Sequence, residues 1–559
     1  MFDVFSNTWP KLSPRASHKC LAIFLIFLLP TLGSAEIPRS GQNKDRVENW
    51  NQFQLDPLRF RKQPIEKVDK NGHSINGIIS SPFGRHDIET GRFYEIKLRV
   101  RSELTKGYAE TLTEIAPRRE SNLEEETGIT ANLTDFLDPV EFSAKGLQPI
   151  FSLKGFEDKN LMKAALDETP WDSDYWPVFQ GGLGARYAVS EYSHGEKTWD
   201  EYFTLTHGEN SLGKVIKRGN ALEIEGLSPS EKYDLLIGSP EIDSDSETGF
   251  LTSYVWNEGR RYRKPDGSVE EWMGICHGWA PASFMMPRPR KVISVKSQSA
   301  GRLRFFPDDL KGLASLLWAT APPAGKVLGS RCNKKASEIT RDPANGRIID
   351  HECFDVNPGV WHLAVVNQIG QARRSLVMDA SWDYEVWNQP VSGYSYRYFN
   401  PQTGAKVGTL KDAMVSKAEF KADKFAKYRS VNSQSFVGIE MIVTYVKEVT
   451  PDHSETDSPA RDRVVNAKYL YDVELDKNEE IIGGEWYQDQ HPDFIWLPAA
   501  NARALSLGDP YLPNTGRWNP STKLPDFWRQ IAIASALRFG QPLASILEPL
   551  LDEAHGKGD

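Results

Sequence analysis

Three rhythms of apolar residues run along the chain. The first is a near-continuous apolar run over 20–29, preceded by Lys11, Arg15 and Lys19 and followed by Pro30 and the small residues Gly33-Ser34-Ala35. A basic flank, a short apolar core and a small-residue end mark a secretory signal peptide, and the core is shorter than the ~20 residues a membrane helix needs. The pattern places cleavage before Glu36 and leaves an exported chain, secreted or held in the periplasm or at the cell surface, with no membrane segment.

The second rhythm is helical. Ser228 followed by Pro229 and Glu231 predicts a capped helix from 229, and 307–319 predicts another with Leu310, Leu313, Leu317 and Trp318 on its core face. A tail over 525–553 is helical, interrupted at Gly540-Gln541-Pro542. The third rhythm is alternation, which predicts strands at 361–368, 374–379, 391–399, 436–449 and 467–475. Helices followed by an antiparallel sheet make an α+β protein. The expected division is a signal peptide over 1–35, a polar N-terminal region over 36–165 that could serve as a pro-segment, a main domain over 166–500 and a helical tail over 501–559. In the polar region only 93–100 reads as a strand.

Composition narrows the partners. A net charge of -9 with 26% charged residues and no long basic run argues against nucleic acid. Once the signal has left, Cys276, Cys332 and Cys353 remain. Cys332 and Cys353 flank a polar, turn-rich segment that needs a staple in an oxidising compartment, so they are expected to pair and leave Cys276 as the odd thiol.

Chemistry therefore centres on Cys276. Lys264-Pro265-Asp266-Gly267 signals a turn, 268–272 reads as a brief strand, and Gly274 ends it, which puts Cys276 on the first turn of a helix. Unsatisfied N–H groups there lower a thiol pKa and offer donors to an oxyanion. The alternative is a small buried hydrophobe. Among the histidines, His277 would point about 100° away from the thiol. His362 begins the strand 361–368, and a turn at Gly370-Gln371 puts Asp379 opposite it; a one-residue slip would change the face, so the register stays open and Asp383 is the alternative. Cys276, His362 and Asp379 are thus the candidate nucleophile, base and orienting acid, with Trp272, Trp279 and Trp387 as candidate substrate walls. Asp243, Asp245 and Glu247 alternate like a calcium loop, although Thr248 stands where that loop needs glycine.

At these residues the chain resembles the transglutaminase elicitor family of oomycetes and marine bacteria. The likeness lies in Gly274-Ile275-Cys276-His277-Gly278-Trp279-Ala280-Pro281, in 353–362, and above all in Val386-Trp387-Asn388-Gln389-Pro390-Val391, which matches the start of that family's elicitor peptide. Segments 170–177, 227–234 and 482–487 also resemble it, and Ser392-Gly393-Tyr394-Ser395 departs from the peptide. The resemblance implies a calcium-dependent protein-glutamine γ-glutamyltransferase with a Cys-His-Asp triad on a papain-like core. Its substrates would be proteins bearing glutamine and lysine. The residues alone imply thiol acyl transfer, for which a papain-like cysteine peptidase or glutamine deamidase is the alternative enzyme. A non-catalytic secreted elicitor or binding protein is the alternative of another class.

Overall fold

The computed structural model describes residues 137–556, less 194–196, 240–247, 324, 330, 333, 351–352, 354, 382–383, 489 and 513–516. It also describes the strands Ile78–Ser81, Gly84–Asp87 and Phe93–Glu95, which pair in that order as an antiparallel sheet. The signal segment, the calcium candidates Asp243, Asp245 and Glu247, and Asp383 lie outside the described residues.

A ten-stranded sheet forms one layer. Its principal strands are β1 (Lys163–Ala165), β2 (Gly325–Gly329), β3 (Val377–Asp379), β4 (Asn388–Phe399), β5 (Ser435–Val446), β6 (Val464–Leu475), β7 (Ile481–Trp486) and β8 (Phe494–Pro498). The order is β7-β6-β5-β4-β3-β8-β2, with β1 beside β4, and these pairings are antiparallel. Val, Ile and Tyr dominate β4, β5 and β6, as suits side chains packed on a pleated surface.

Helices form the other layer: α1 (Pro229–Ile237), α2 (Phe250–Tyr262), α3 (Cys276–Met285), α4 (Pro307–Thr320), α5 (Pro358–Val365), α6 (Asp526–Phe539) and α7 (Ala544–His555). The expected capping box holds at α1, where Ser228 Oγ accepts from Glu231 N and the Glu231 carboxylate from Ser228 N. Between α6 and α7, Gly540 takes φ +61°, and a Cβ there would lie 2.0 Å from the Tyr254 ring.

The expected boundaries at 165 and 500 fall inside packed structure. Leu137, Phe142, Leu153 and Phe156 are buried with the sheet residues, and β1 extends β4. Ile531, Leu543, Leu547 and Leu550 share one helical core with Trp279, Leu313 and Leu317. Buried ion pairs join that core to neighbouring segments, with Lys311 Nζ 3.2 Å from both Asp172 and Asp457.

Two predicted strands are absent. Segment 268–272 is irregular, because Asp266 Oδ1 accepts from Ser268 N and closes a turn. Segment 361–368 is helical: Asn357 Oδ1 accepts from Gly359 N at 2.8 Å, Pro358 takes the first position, and α5 runs on into a π-helical turn, Val366–Gln371. An apolar run buried on every side carries no period to separate strand from helix, and the Asn-Pro start signal decides it. Among the described residues no helix is long and apolar enough to cross a membrane.

Cys332 and Cys353 are joined and fully buried, and Cys276 is free. The bridge spans 21 residues, so replacing both cysteines by serine should cost about 3 kcal/mol in denaturant unfolding by the chain-entropy account. An unchanged midpoint would show that this loop is held by its packing alone.

Candidate active site

Cys276 is the first residue of α3. Ile275 N donates to Tyr175 O at 2.7 Å, and the Gly278 and Trp279 N–H groups return to Ile275 O, closing the turn beneath the thiol. Two glycines permit the approach of neighbours from either side. A Cβ on Gly274 would lie 2.3 Å from Tyr175 O, and one on Gly278 would lie 2.1 Å from Ser315 O of α4.

The sheet supplies the other wall. Asn388 Nδ2 donates to Cys276 Sγ at 3.4 Å, and Sγ in turn donates to Val386 O at 3.7 Å. Trp496 Nε1 on β8 donates to Asn388 Oδ1 at 2.9 Å, which fixes which end of the amide faces sulfur. In the β3–β4 ladder Asp379 lies directly opposite Asn388. Asp379 Oδ1 accepts from Trp387 N at 2.8 Å and from Ser381 Oγ at 2.7 Å, while Oδ2 is buried with no hydrogen-bond partner among the described residues.

Half-buried aromatics stand in the segments on either side. Trp387 meets Tyr175 edge-on at 5.2 Å, and Trp272 meets Tyr384 edge-on at 5.5 Å. The Arg331 guanidinium lies over both the Trp272 and Tyr384 rings and donates to Tyr384 O. One residue on, Cys332 begins the disulfide.

Electrostatics follows from burial. Cys276 is 5% exposed, and its thiol is pushed up to about 11, chiefly by desolvation. The donation from Asn388 opposes that rise, and the charges of Asp379 and Glu448 add to it. The expected depression by the helix N-terminus is therefore outweighed, as is reasonable for a term of about 0.3–1 kcal/mol. Asp379 is pushed up to about 7 by the same desolvation, against its hydrogen bonds and the Arg331 charge.

His362 is not brought to the thiol. It lies in α5, fully buried, with Nδ1 2.8 Å from Tyr471 Oη and the ring against Phe156 and Tyr396. Tyr396 is eight residues along β4 from Asn388, about 26 Å at the rise of a strand. The 361–368 strand that would have set His362 across from Asp379 does not exist, and Asn388 occupies that place. Burial pushes the His362 imidazole down to about 3, so it is neutral. Trp279 is also no wall: it is buried, with Nε1 donating to Trp171 O. Trp387 precedes Asn388 and meets Tyr175, and Trp272 packs against Tyr384 and Arg331.

Sequence reasoning passed over Asn388 and Trp496. Asn388 sat within the hexapeptide already singled out, and a polar amide opening a buried strand was the available signal. Trp496 left no local signal, because its role exists only once β8 lies beside β3.

A model of the family described as transglutaminase elicitor matches residues 151–508. Among solved structures, the chain is similar to the GP42 transglutaminase from Phytophthora sojae, with 18% identity and a TM-score of 0.44 over 75% of this chain and 98% of that one. No curated protein matches.

His362→Phe should lower stability by about 1–3 kcal/mol by leaving the buried Tyr471 hydroxyl only its weak bond to Met441 Sδ, and should leave the rate of Cys276 alkylation by iodoacetamide within two-fold. A large loss of alkylation with unchanged unfolding would restore His362 to the site. Asp379, raised above its unfolded value near 4, contributes stability that is present below pH 4 and lost as pH rises through about 7. Asp379→Asn should therefore flatten the fall in unfolding free energy between pH 4 and 7, as measured by denaturant titration across that range.

Proposed function

The chain belongs to the transglutaminase elicitor family, and from that premise we propose that it is a secreted protein-glutamine γ-glutamyltransferase with Cys276 as nucleophile and Asp379 as base. The observation that carries this is the thiol on the first turn of α3, 3.4 Å from the Asn388 amide and next to a carboxylate raised to about 7. A general base works best with a pKa near the operating pH. A thiol helix laid against an antiparallel sheet also fits a papain-like core.

In the first half-reaction the Asp379 carboxylate takes the Sγ proton while sulfur attacks the γ-carboxamide carbon of a substrate glutamine. The oxyanion is received by Asn388 Nδ2, which already donates to sulfur, with the backbone N–H at the start of α3 as the second donor. Asp379 then gives its proton to the departing ammonia, leaving a thioester. A lysine amine attacks that thioester, the C–S bond breaks, and the proton returns to sulfur. Water in place of the amine gives deamidation. His362 takes no part in these steps.

Secretion is supported by the buried Cys332–Cys353 bridge, which belongs in an oxidising compartment. Calcium is implied by the family resemblance. Among the described residues no group of three or more His, Cys, Asp or Glu side chains is placed to hold a metal ion, and no step above is routed through one. The near-complete burial of the thiol favours the second reading, a secreted binding protein whose Cys276 is inert.

Ammonia release and monodansylcadaverine incorporation with a glutamine peptide separate the two. Cys276→Ser should abolish both, and wild-type kcat/KM should rise with pH through about 7 as Asp379 ionises. Asp379→Asn should lose at least about 100-fold, within the range of general-base contributions, together with that limb of the profile. Full activity in Cys276→Ser would end the enzymatic reading.

A further inference from the structure

Glu448 follows β5 by two residues, and because β5 runs antiparallel to β4 this places it beside the start of β4. Its carboxylate accepts from Gln389 Nε2 at 2.8 Å, and Gln389 is the neighbour of the amide that touches sulfur. Gln389 is 2% exposed, and among the described residues its Oε1 has no hydrogen-bond partner. The backbone fixes this corner: Val449 N donates to Ser173 O at 2.9 Å, and two residues later Tyr175 O holds the N–H of Ile275, the residue before Cys276. Asp174 lies in the same span, close enough that its charge and that of Glu448 act on one another. Tyr175, on which the charges of Asp174 and Glu448 both act, meets the Trp387 ring edge-on.

Beside the thiol there is thus a carboxylate, a second carboxyl, an amide oxygen lacking a donor and two aromatic rings. Lys447 is the neighbouring cation, 3.7 Å from Glu448 Oε1 and on the more exposed side. An ammonium has three donors and no acceptor, so it can satisfy both Glu448 and Gln389 Oε1 at once, with ring faces adding attraction. We propose that Glu448 and Gln389 Oε1 form the subsite that selects a cationic amine, the lysine side chain, as acyl acceptor. This rests on the acyl-transfer reading. Of the ammonium's three protons, one passes to Asp379 and on to solvent as the amine attacks the thioester carbon. A second returns to Sγ as the C–S bond breaks, and the third stays on the new amide.

The test compares cadaverine, cationic at pH 7, with hydroxylamine, a small nucleophile that is neutral there. Glu448→Gln should reduce the preference for cadaverine over hydroxylamine at least ten-fold in kcat/KM, and calorimetric binding of cadaverine to the resting protein should weaken in parallel. Glu448→Lys should abolish that binding. An unchanged preference with unchanged binding would overturn the subsite, as would equal losses for both nucleophiles. Absence of ammonia release by the wild-type protein would instead sink the acyl-transfer reading, and cadaverine binding to wild type against Glu448→Gln would still decide the subsite.

Discussion

Burial of one thiol and one carboxylate around a single amide is the constraint on which the rest of the site depends. The β3–β4 ladder sets Asp379 opposite Asn388, and Asn388 reaches sulfur. Desolvation lifts both groups above their ordinary values, and the Asp379 charge lifts the thiol a little further. Moving a proton from sulfur to Asp379 creates no new charge, only relocates one. A buried site can tolerate that exchange, whereas forming a thiolate beside an ionised carboxylate would cost far more. The third member, Trp496, keeps the amide from turning its oxygen toward sulfur.

This arrangement is only as good as the segment 171–176 that braces the thiol turn. Trp171 O receives Trp279 Nε1, and Tyr175 O receives Ile275 N. Between them Asp172 meets Lys311 of α4, which also lies within 3.3 Å of Asp308 and Asp457. Arg288 ties Asp457 to Asp462. Such buried ions are weak sources of net stability, but breaking one pair strands the other charge at about 3–5 kcal/mol. The cluster therefore fixes position, and through Tyr175 it fixes where α3 begins.

Much of this was legible in the residues. Ser228-Pro229-Glu231, the Gly540 break and the two flanking cysteines each carry a local rule, and the structure obeys it. Cys276 on a first helical turn was readable although the strand expected before it is irregular, because the helix start depends on Gly274 and Gly278 admitting their neighbours. His362 was misplaced for a physical reason: Val360 to Val366 is buried on all sides, so its pattern carries no face. Asp379 was found through a pairing that does not exist; it stands at the site because Asn388, not His362, is its cross-strand neighbour. The expected lowering of the thiol pKa is overturned by burial, a quantity set by the fold as a whole and absent from any window of sequence.

Burial also bears on how the site could open. On the acyl-transfer reading proposed above, Val386 O occupies the place beside Sγ that a substrate carbonyl would take, and Trp387 meets Tyr175 next to it. Yet Trp387 N is also a ligand of Asp379, and Asn388 follows directly. Displacing the Val386 carbonyl therefore perturbs the group that holds the base and the amide that faces the nucleophile. Entry of a donor and alignment of the acid–base pair are carried by the same three consecutive residues, 386–388. A donor that seats well enough to replace those contacts restores the alignment, and one that merely pries the segment away loses it. Selectivity for the acyl donor on this reading resides in the backbone of that short segment as much as in the aromatic rings around it.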